Sequence, residues 1–125
     1  MHIFAFRQYF FSQLLTIIIM KHITTFELKE KMDNQVPIQI IDTRDAEKFN
    51  ESHIPGSINI PQIDLPDMVH LITKESPVVI YCMYGVKSQA PYLYLTEKLK
   101  FRNIFVLEGG IFEWTNDIDS SLPLS

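Results

Sequence analysis

One cysteine occurs in the 125 residues, Cys82, directly after the apolar run Pro77-Val78-Val79-Ile80-Tyr81 and at the head of the loop Cys82-Met83-Tyr84-Gly85-Val86-Lys87-Ser88. A β-branched and aromatic run of that length reads as a buried strand. Ligands of open parallel sheets bind outside the carboxyl ends of the strands, so the thiol falls where chemistry is done. Gly85 permits backbone angles that residues with a β-carbon resist, which lets the loop curl and aim successive N–H groups inward as an anion nest. A helix beginning near Ser88 adds unpaired N–H groups and a positive dipole end, with Ser88 as N-cap and Pro91 in the first turn. These surroundings favour the thiolate, the form in which cysteine is a nucleophile. The bland alternative is a small core thiol. Position at a strand end, before a glycine loop and a helix, favours the reactive role and predicts a partly exposed sulfur.

The elements that must hold this loop follow from an alternation of short apolar runs with helical segments, the pattern of an α/β parallel sheet covered on both faces. Thr24 or Thr25 caps a helix through Phe26, Leu28, Lys29 and Met32, stopped at Asp33-Asn34. Ile38 to Ile41 reads as a strand ending at Asp42, and Arg44 to Glu51 as a short helix with Ala46 and Phe49 inward. His53-Ile54-Pro55-Gly56-Ser57 is a punctuated turn before a small strand at Ile58-Asn59-Ile60. Residues 61 to 73 read as partly helical, and Ser88 to Lys100 as a helix with Tyr92, Leu95 and Leu99 at helical spacing. Ile104 to Leu107 is the last strand, followed by Gly109-Gly110 and a closing helix around Trp114.

Composition narrows the function classes. With 46% hydrophobic and 21% charged residues the chain is an ordinary globular protein of one core. Its formal charge of −4 and pI near 5.5, with eleven scattered basic residues, argue against nucleic acid as a partner. A lone cysteine forms no internal disulfide, and His2, His22, His53 and His70 show no zinc-site spacing, so no metal is expected. A free thiol suits a reducing compartment, hence a cytoplasmic protein. Residues 1–19 form a hydrophobic extension interrupted by Arg7, Gln8, Ser12 and Gln13, too short and polar to span a bilayer and without the flanks of a secretory signal. Met20 is a natural alternative start, which divides the chain into residues 1–19 and a domain of residues 20–125. A genuine extension would instead make the protein membrane-associated or exported.

Four stretches in this order resemble the single-domain rhodaneses, or thiosulfate sulfurtransferases: Ile41-Asp42-Thr43-Arg44; Glu47-x-Phe49 leading to His53-Ile54-Pro55-Gly56-Ser57-Ile58-Asn59-Ile60-Pro61; Tyr81-Cys82-x-x-Gly85-x-Lys87-Ser88; and Leu107-Glu108-Gly109-Gly110 followed by Trp114. The resemblance extends from Met20 to about Pro123 and implies a five-stranded parallel sheet flanked by helices. It also implies a two-step transfer. The Cys82 thiolate takes the outer sulfur of a donor such as thiosulfate, and the resulting persulfide passes it to cyanide, a small thiol or a protein thiol. A protein persulfide is a further possible donor. No cofactor is called for, and no general base is needed by a thiolate already ionised, which fits the absence of a histidine beside the cysteine.

In that family the loop residues Met83, Tyr84, Gly85, Val86, Lys87 and Ser88 surround the substrate. Related phosphatases carry an arginine six positions after the cysteine; here Ser88 stands there, and the six-residue loop Cys82 to Lys87 resembles the sulfur-handling form. Many members have arginine where this chain has Lys87, and some have one where it has Met83. Lysine keeps the charge but loses the planar two-point grip on sulfonate oxygens, which predicts weaker hold on thiosulfate. Asp42 and Arg44 read as a fixing ion pair, His53 as a tie for the turn, and Gly109-Gly110 as room for close approach to the active loop. Trp114, Phe112, Tyr92 and Tyr94 read as core or pocket-wall aromatics, while Met83 and Tyr84 make an apolar rim suited to a protein partner. The competing readings are a non-catalytic binding module of the same fold, opposed by the intact Cys82, and a phosphatase-like hydrolase, opposed by Ser88.

Overall fold

Five short strands carry the architecture, and all of them run parallel. The computed structural model describes Arg7, Gln8, Phe11 and residues 20–124. In chain order the strands are β1 His22–Ile23, β2 Gln39–Asp42, β3 Ile58–Asn59, β4 Val78–Tyr81 and β5 Ile104–Leu107. In space the order is β1-β5-β4-β2-β3, so β4 is central. Its four residues are all buried, as a strand covered on both faces requires. Alternation then divides the core. Ile41, Val78, Ile80, Ile104 and Val106 face one layer with Leu65, Tyr92 and Leu95. Ile40, Val79, Tyr81 and Leu107 face the other with Leu28, Ile54, Ile111 and Trp114. Each fully buried Leu or Ile contributes about 1.5–3 kcal/mol.

Helix α1, Thr25–Asp33, starts where a capping box forms: the Glu27 amide donates to Thr24 Oγ1 at 3.1 Å and the Thr24 amide to the Glu27 carboxylate at 3.4 Å. Helix α2, Ala46–Glu51, departs from expectation. Ala46 is exposed and Phe49 only half-buried, stacked on the His53 ring at 3.8 Å, because this short helix leans on its own following turn rather than on the core. Residues 61–73 contain a 3₁₀ turn at Gln62–Asp64, the short α3 Leu65–Met68 and a second 3₁₀ turn at Val69–Leu71. Helix α4, Gln89–Leu93, widens into a π-helical turn at Tyr94–Lys98, and Lys100 at φ 62° ends it. Ser88 does not cap it: its backbone is already helical at φ −71°, ψ −10°, so its hydroxyl has no geometry to reach a first-turn amide. Helix α5 is Gly110–Asp117, with Trp114 2% exposed. The two-residue β1 lacks a pattern of its own and is held by pairing His22 with Val106 and Ile23 with Leu107. No helix among the described residues is long and apolar enough to cross a membrane. The expectations for residues 1–19 otherwise lie outside the described residues.

Candidate active site

Cys82 follows the last residue of β4, and its backbone is clamped from the far side by the start of α5. The Ile111 amide donates to the Cys82 carbonyl and the Phe112 amide to the Met83 carbonyl, both at 3.0 Å. Such an approach demands glycine. Gly110 sits at φ +62°, and a β-carbon there would lie 2.4 Å from the Cys82 carbonyl oxygen and 2.5 Å from that of Met83. This is the close approach expected of the Gly109-Gly110 pair, with Gly109 at φ +71° supplying the turn before it.

The loop then curls back over the sulfur. Gly85, at φ +88°, donates its amide to Cys82 Sγ at 3.1 Å. The positive φ is one glycine adopts without penalty, and it turns the chain that follows the amide. A β-carbon at Gly85 would also stand 3.1 Å from the Gly109 nitrogen. Cys82 is 4% exposed, so the expected partly exposed sulfur is corrected: it is recessed, because the loop and the start of α5 close over it. It nevertheless lines an open cleft of about 550 Å³ with Thr43, Arg44, Asp45, Lys48, Gln62, Met83, Tyr84, Val86 and Lys87.

The loop residues divide by environment. Met83 is half-buried at the cleft wall, while Tyr84, Val86 and Lys87 are exposed around its mouth. The Tyr84 ring leans on Phe112 at 5.3 Å, so the rim contains an aromatic pair. Ser88 is fully buried, does not line the cleft, and its hydroxyl has no hydrogen-bond partner among the described residues. The cleft's remaining wall comes from the carboxyl end of β2 and the chain after β3: Thr43, Asp45, Lys48 and Gln62 were not identified from the sequence. Lys48 was detectable only as a basic residue in the short helical segment that follows Arg44.

Behind the cleft the support is dense. Arg44 donates through Nε and Nη2 to both carboxylate oxygens of Asp42 at 2.8–3.1 Å, and through Nη2 to the Ser52 carbonyl at 2.6 Å. Both side chains are buried, and the pair ties the end of β2 to the turn before β3. Asn59 donates to the Asp42 and Arg44 carbonyls, tying β3 to it. His53 pairs through Nδ1 with the Phe49 carbonyl at 2.8 Å and does not line the cleft, in keeping with a turn tie. Tyr81 accepts from the Ile54 amide at 3.1 Å and shares a hydrogen bond with Ser57 at 3.0 Å. Burial, and after it the Asp42 carboxylate, hold the Tyr81 phenol well above its usual range. It stays protonated and structural.

A parallel α/β sheet with a recessed thiol at the end of its central strand, under a glycine-bent loop, defines a class of domain. The Rhodanese-like domain family model matches residues 24–117. The chain is 32% identical over 94 residues to a thiosulfate sulfurtransferase GlpE of Shewanella oneidensis, covering 75% of this chain and 91% of that protein. Over 93 residues it is 32% identical to the protein of that name in Coxiella burnetii, covering 74% and 82%. A solved rhodanese-like domain protein from Staphylococcus aureus superposes with a TM-score of 0.70 at 32% identity, covering 85% of this chain and 99% of that one. The chain belongs to the rhodanese-like domain family, and its five-stranded parallel sheet with flanking helices is that family's fold.

Proposed function

We propose that this protein is a sulfurtransferase that carries sulfane sulfur as a persulfide on Cys82. The observation that carries the reading is the Gly85 amide 3.1 Å from a recessed Sγ at the end of β4. In the first step the Cys82 thiolate attacks the outer sulfur of the donor. A new S–S bond forms as the donor's own bond to that sulfur breaks, and with thiosulfate the leaving group is sulfite, which keeps the bonding pair. In the second step cyanide or a thiolate attacks the outer persulfide sulfur, and Cys82 leaves as the thiolate. Covalent storage splits one transfer into two easier ones. A preset amide aimed at the sulfur stabilises an anion at no reorganisation cost when charge arrives there.

Anionic donors are favoured by the cations around the cleft. Lys48 and Lys87 both line it, beside the Arg44–Asp42 pair. A burial of only 4% exposure suits a sulfur that must be reached along one direction and kept from stray oxidants. Residues 20–125 are proposed as the active domain, with residues 1–19 as an extension, and the unpaired thiol suits the cytoplasm. Intact mass after incubation with thiosulfate tests the reading: a gain of one sulfur atom, removed by cyanide, is expected. No gain from thiosulfate or from a low-molecular-weight persulfide would overturn it.

A further inference from the structure

The loop over Cys82 has a second side. Gly85, whose amide meets Sγ, lines a hollow of about 210 Å³ together with Met20, His22, Tyr84, Val86, Val106 and Leu107. Tyr84 and Val86 line the cleft as well; of the two spaces, Cys82 lines the cleft and Gly85 the hollow, so the loop is the partition between them. The wall of the hollow is mainly aliphatic and aromatic. An apolar cavity of about 150 Å³ accepts benzene, so this volume accepts a large aliphatic side chain. At its rim the apolar surface continues outward, with Tyr84 62% and Val86 72% exposed. A hollow and rim of this kind call for an apolar cover.

The chain itself brings one to this place. Met20 lines the hollow and is 6% exposed. The next residue is pinned: the Lys21 amide donates to the Tyr92 hydroxyl at 3.2 Å, and the Lys21 carbonyl accepts from the Val106 amide at 2.9 Å. The point at which the N-terminal segment joins the sheet is therefore fixed beside the hollow. Directly before Met20 the sequence reads Leu14-Leu15-Thr16-Ile17-Ile18-Ile19, without a charge. Consecutive Cα atoms are about 3.8 Å apart, so Ile17 stands no more than about 11 Å from Met20 whatever the path. Three isoleucines are tethered within reach of an apolar space that one such side chain fills.

We propose that Ile17-Ile18-Ile19 docks in this hollow, so that the chain's own N-terminal segment is a strap that braces the active loop from behind. The strap covers Tyr84 and Val86, the neighbours of the glycine whose amide meets Sγ, and leaves the cleft over Cys82 open. It goes beyond the sulfurtransferase reading and does not depend on it.

Hydrogen exchange read by mass spectrometry tests the strap on the full chain. Ile17→Ser, Ile18→Ser and Ile19→Ser together should speed exchange over residues 85–92 at least about tenfold, equivalent to about 1.4 kcal/mol of protection, and leave α1 unchanged. His22 is exposed and lines the hollow, so His22→Trp, or the smaller His22→Leu, fills it from within the sheet edge. In either background the three serine changes should no longer alter the exchange, because the seat is already taken. No effect of the serine changes in the parent chain, or an effect of equal size in the filled variants, overturns the proposal. So does acceleration that spreads equally to α1, or loss of folding in the serine chain, since the segment would then belong to the core. Protection that grows with protein concentration alongside a dimer also overturns it, because a second copy would be the occupant. None of these readouts uses sulfur transfer, so a Cys82 that takes no sulfur would sink the sulfurtransferase reading and leave the strap standing.

Discussion

Gly110→Ala is the substitution that most directly probes how the active loop is built. At φ +62° an alanine pays the left-handed penalty of about 1–2 kcal/mol. Its β-carbon would also lie 2.4 Å from the Cys82 carbonyl oxygen and 2.5 Å from that of Met83, so α5 and the loop must separate. Separation breaks the Ile111 and Phe112 amide bonds to those two carbonyls, each contributing about 0.5–1.5 kcal/mol. The expected loss is therefore about 2–5 kcal/mol, together with reduced sulfur loading, because those amides hold the backbone on which Cys82 Sγ and the Gly85 amide meet. Gly56→Ala is the control. Gly56 has φ +84° but nothing within 4 Å of its would-be β-carbon, so only the left-handed penalty of about 1–2 kcal/mol applies and loading should persist. Urea unfolding of both variants, read beside intact mass after thiosulfate, separates strain from contact. Equal destabilisation of the two, with loading intact in Gly110→Ala, would refute the claim that this approach shapes the site.

Cys82→Ser should abolish sulfur loading and change stability by about 1 kcal/mol or less, since the hydroxyl can still accept from the Gly85 amide; a larger loss in the denaturant midpoint would return Cys82 to a core role. Lys87→Arg should raise turnover with thiosulfate by offering a fork of donors to the sulfonate oxygens, and leave transfer from a small neutral persulfide nearly unchanged; equal effects on both donors would remove Lys87 from substrate contact. Arg44→Ala should cost about 3–5 kcal/mol by leaving the buried Asp42 carboxylate unpaired, and an unfolding curve matching that of the parent protein would show that the pair is dispensable. A chain beginning at Met20 should unfold cooperatively and load sulfur as the full chain does, and loss of cooperativity in thermal unfolding would assign residues 1–19 to the core.

Much of this molecule is legible one segment at a time. The runs Val78-Val79-Ile80-Tyr81 and Ile104-Phe105-Val106-Leu107 become strands because a short, continuous, β-branched and aromatic segment between polar turns has few other ways to bury itself. Thr24 and Glu27 state the start of α1 locally, and Gly85 before Lys87-Ser88 marks a loop that must bend. The placing of Cys82 at a strand end required no knowledge of any other element.

Tertiary structure decided what stands opposite that thiol. The order β1-β5-β4-β2-β3 puts the carboxyl end of β2 beside that of β4, and this brings Thr43, Asp45 and Lys48 to a cleft that Met83, Tyr84, Val86 and Lys87 also line. Strand order is set by which apolar faces can be covered together, a long-range matter with no trace in any one window of sequence. The same holds for Ser88. Its residue type predicts a cap, but the chain enters α4 with Ser88 already in helical backbone, so its hydroxyl meets no first-turn amide. The two-residue β1 exists only through its pairing with β5. Local chemistry singled out the thiol and the strands; the packing of distant strand ends chose the thiol's surroundings, since backbone hydrogen bonds and buried area are satisfied by the whole sheet and not by any single piece of it.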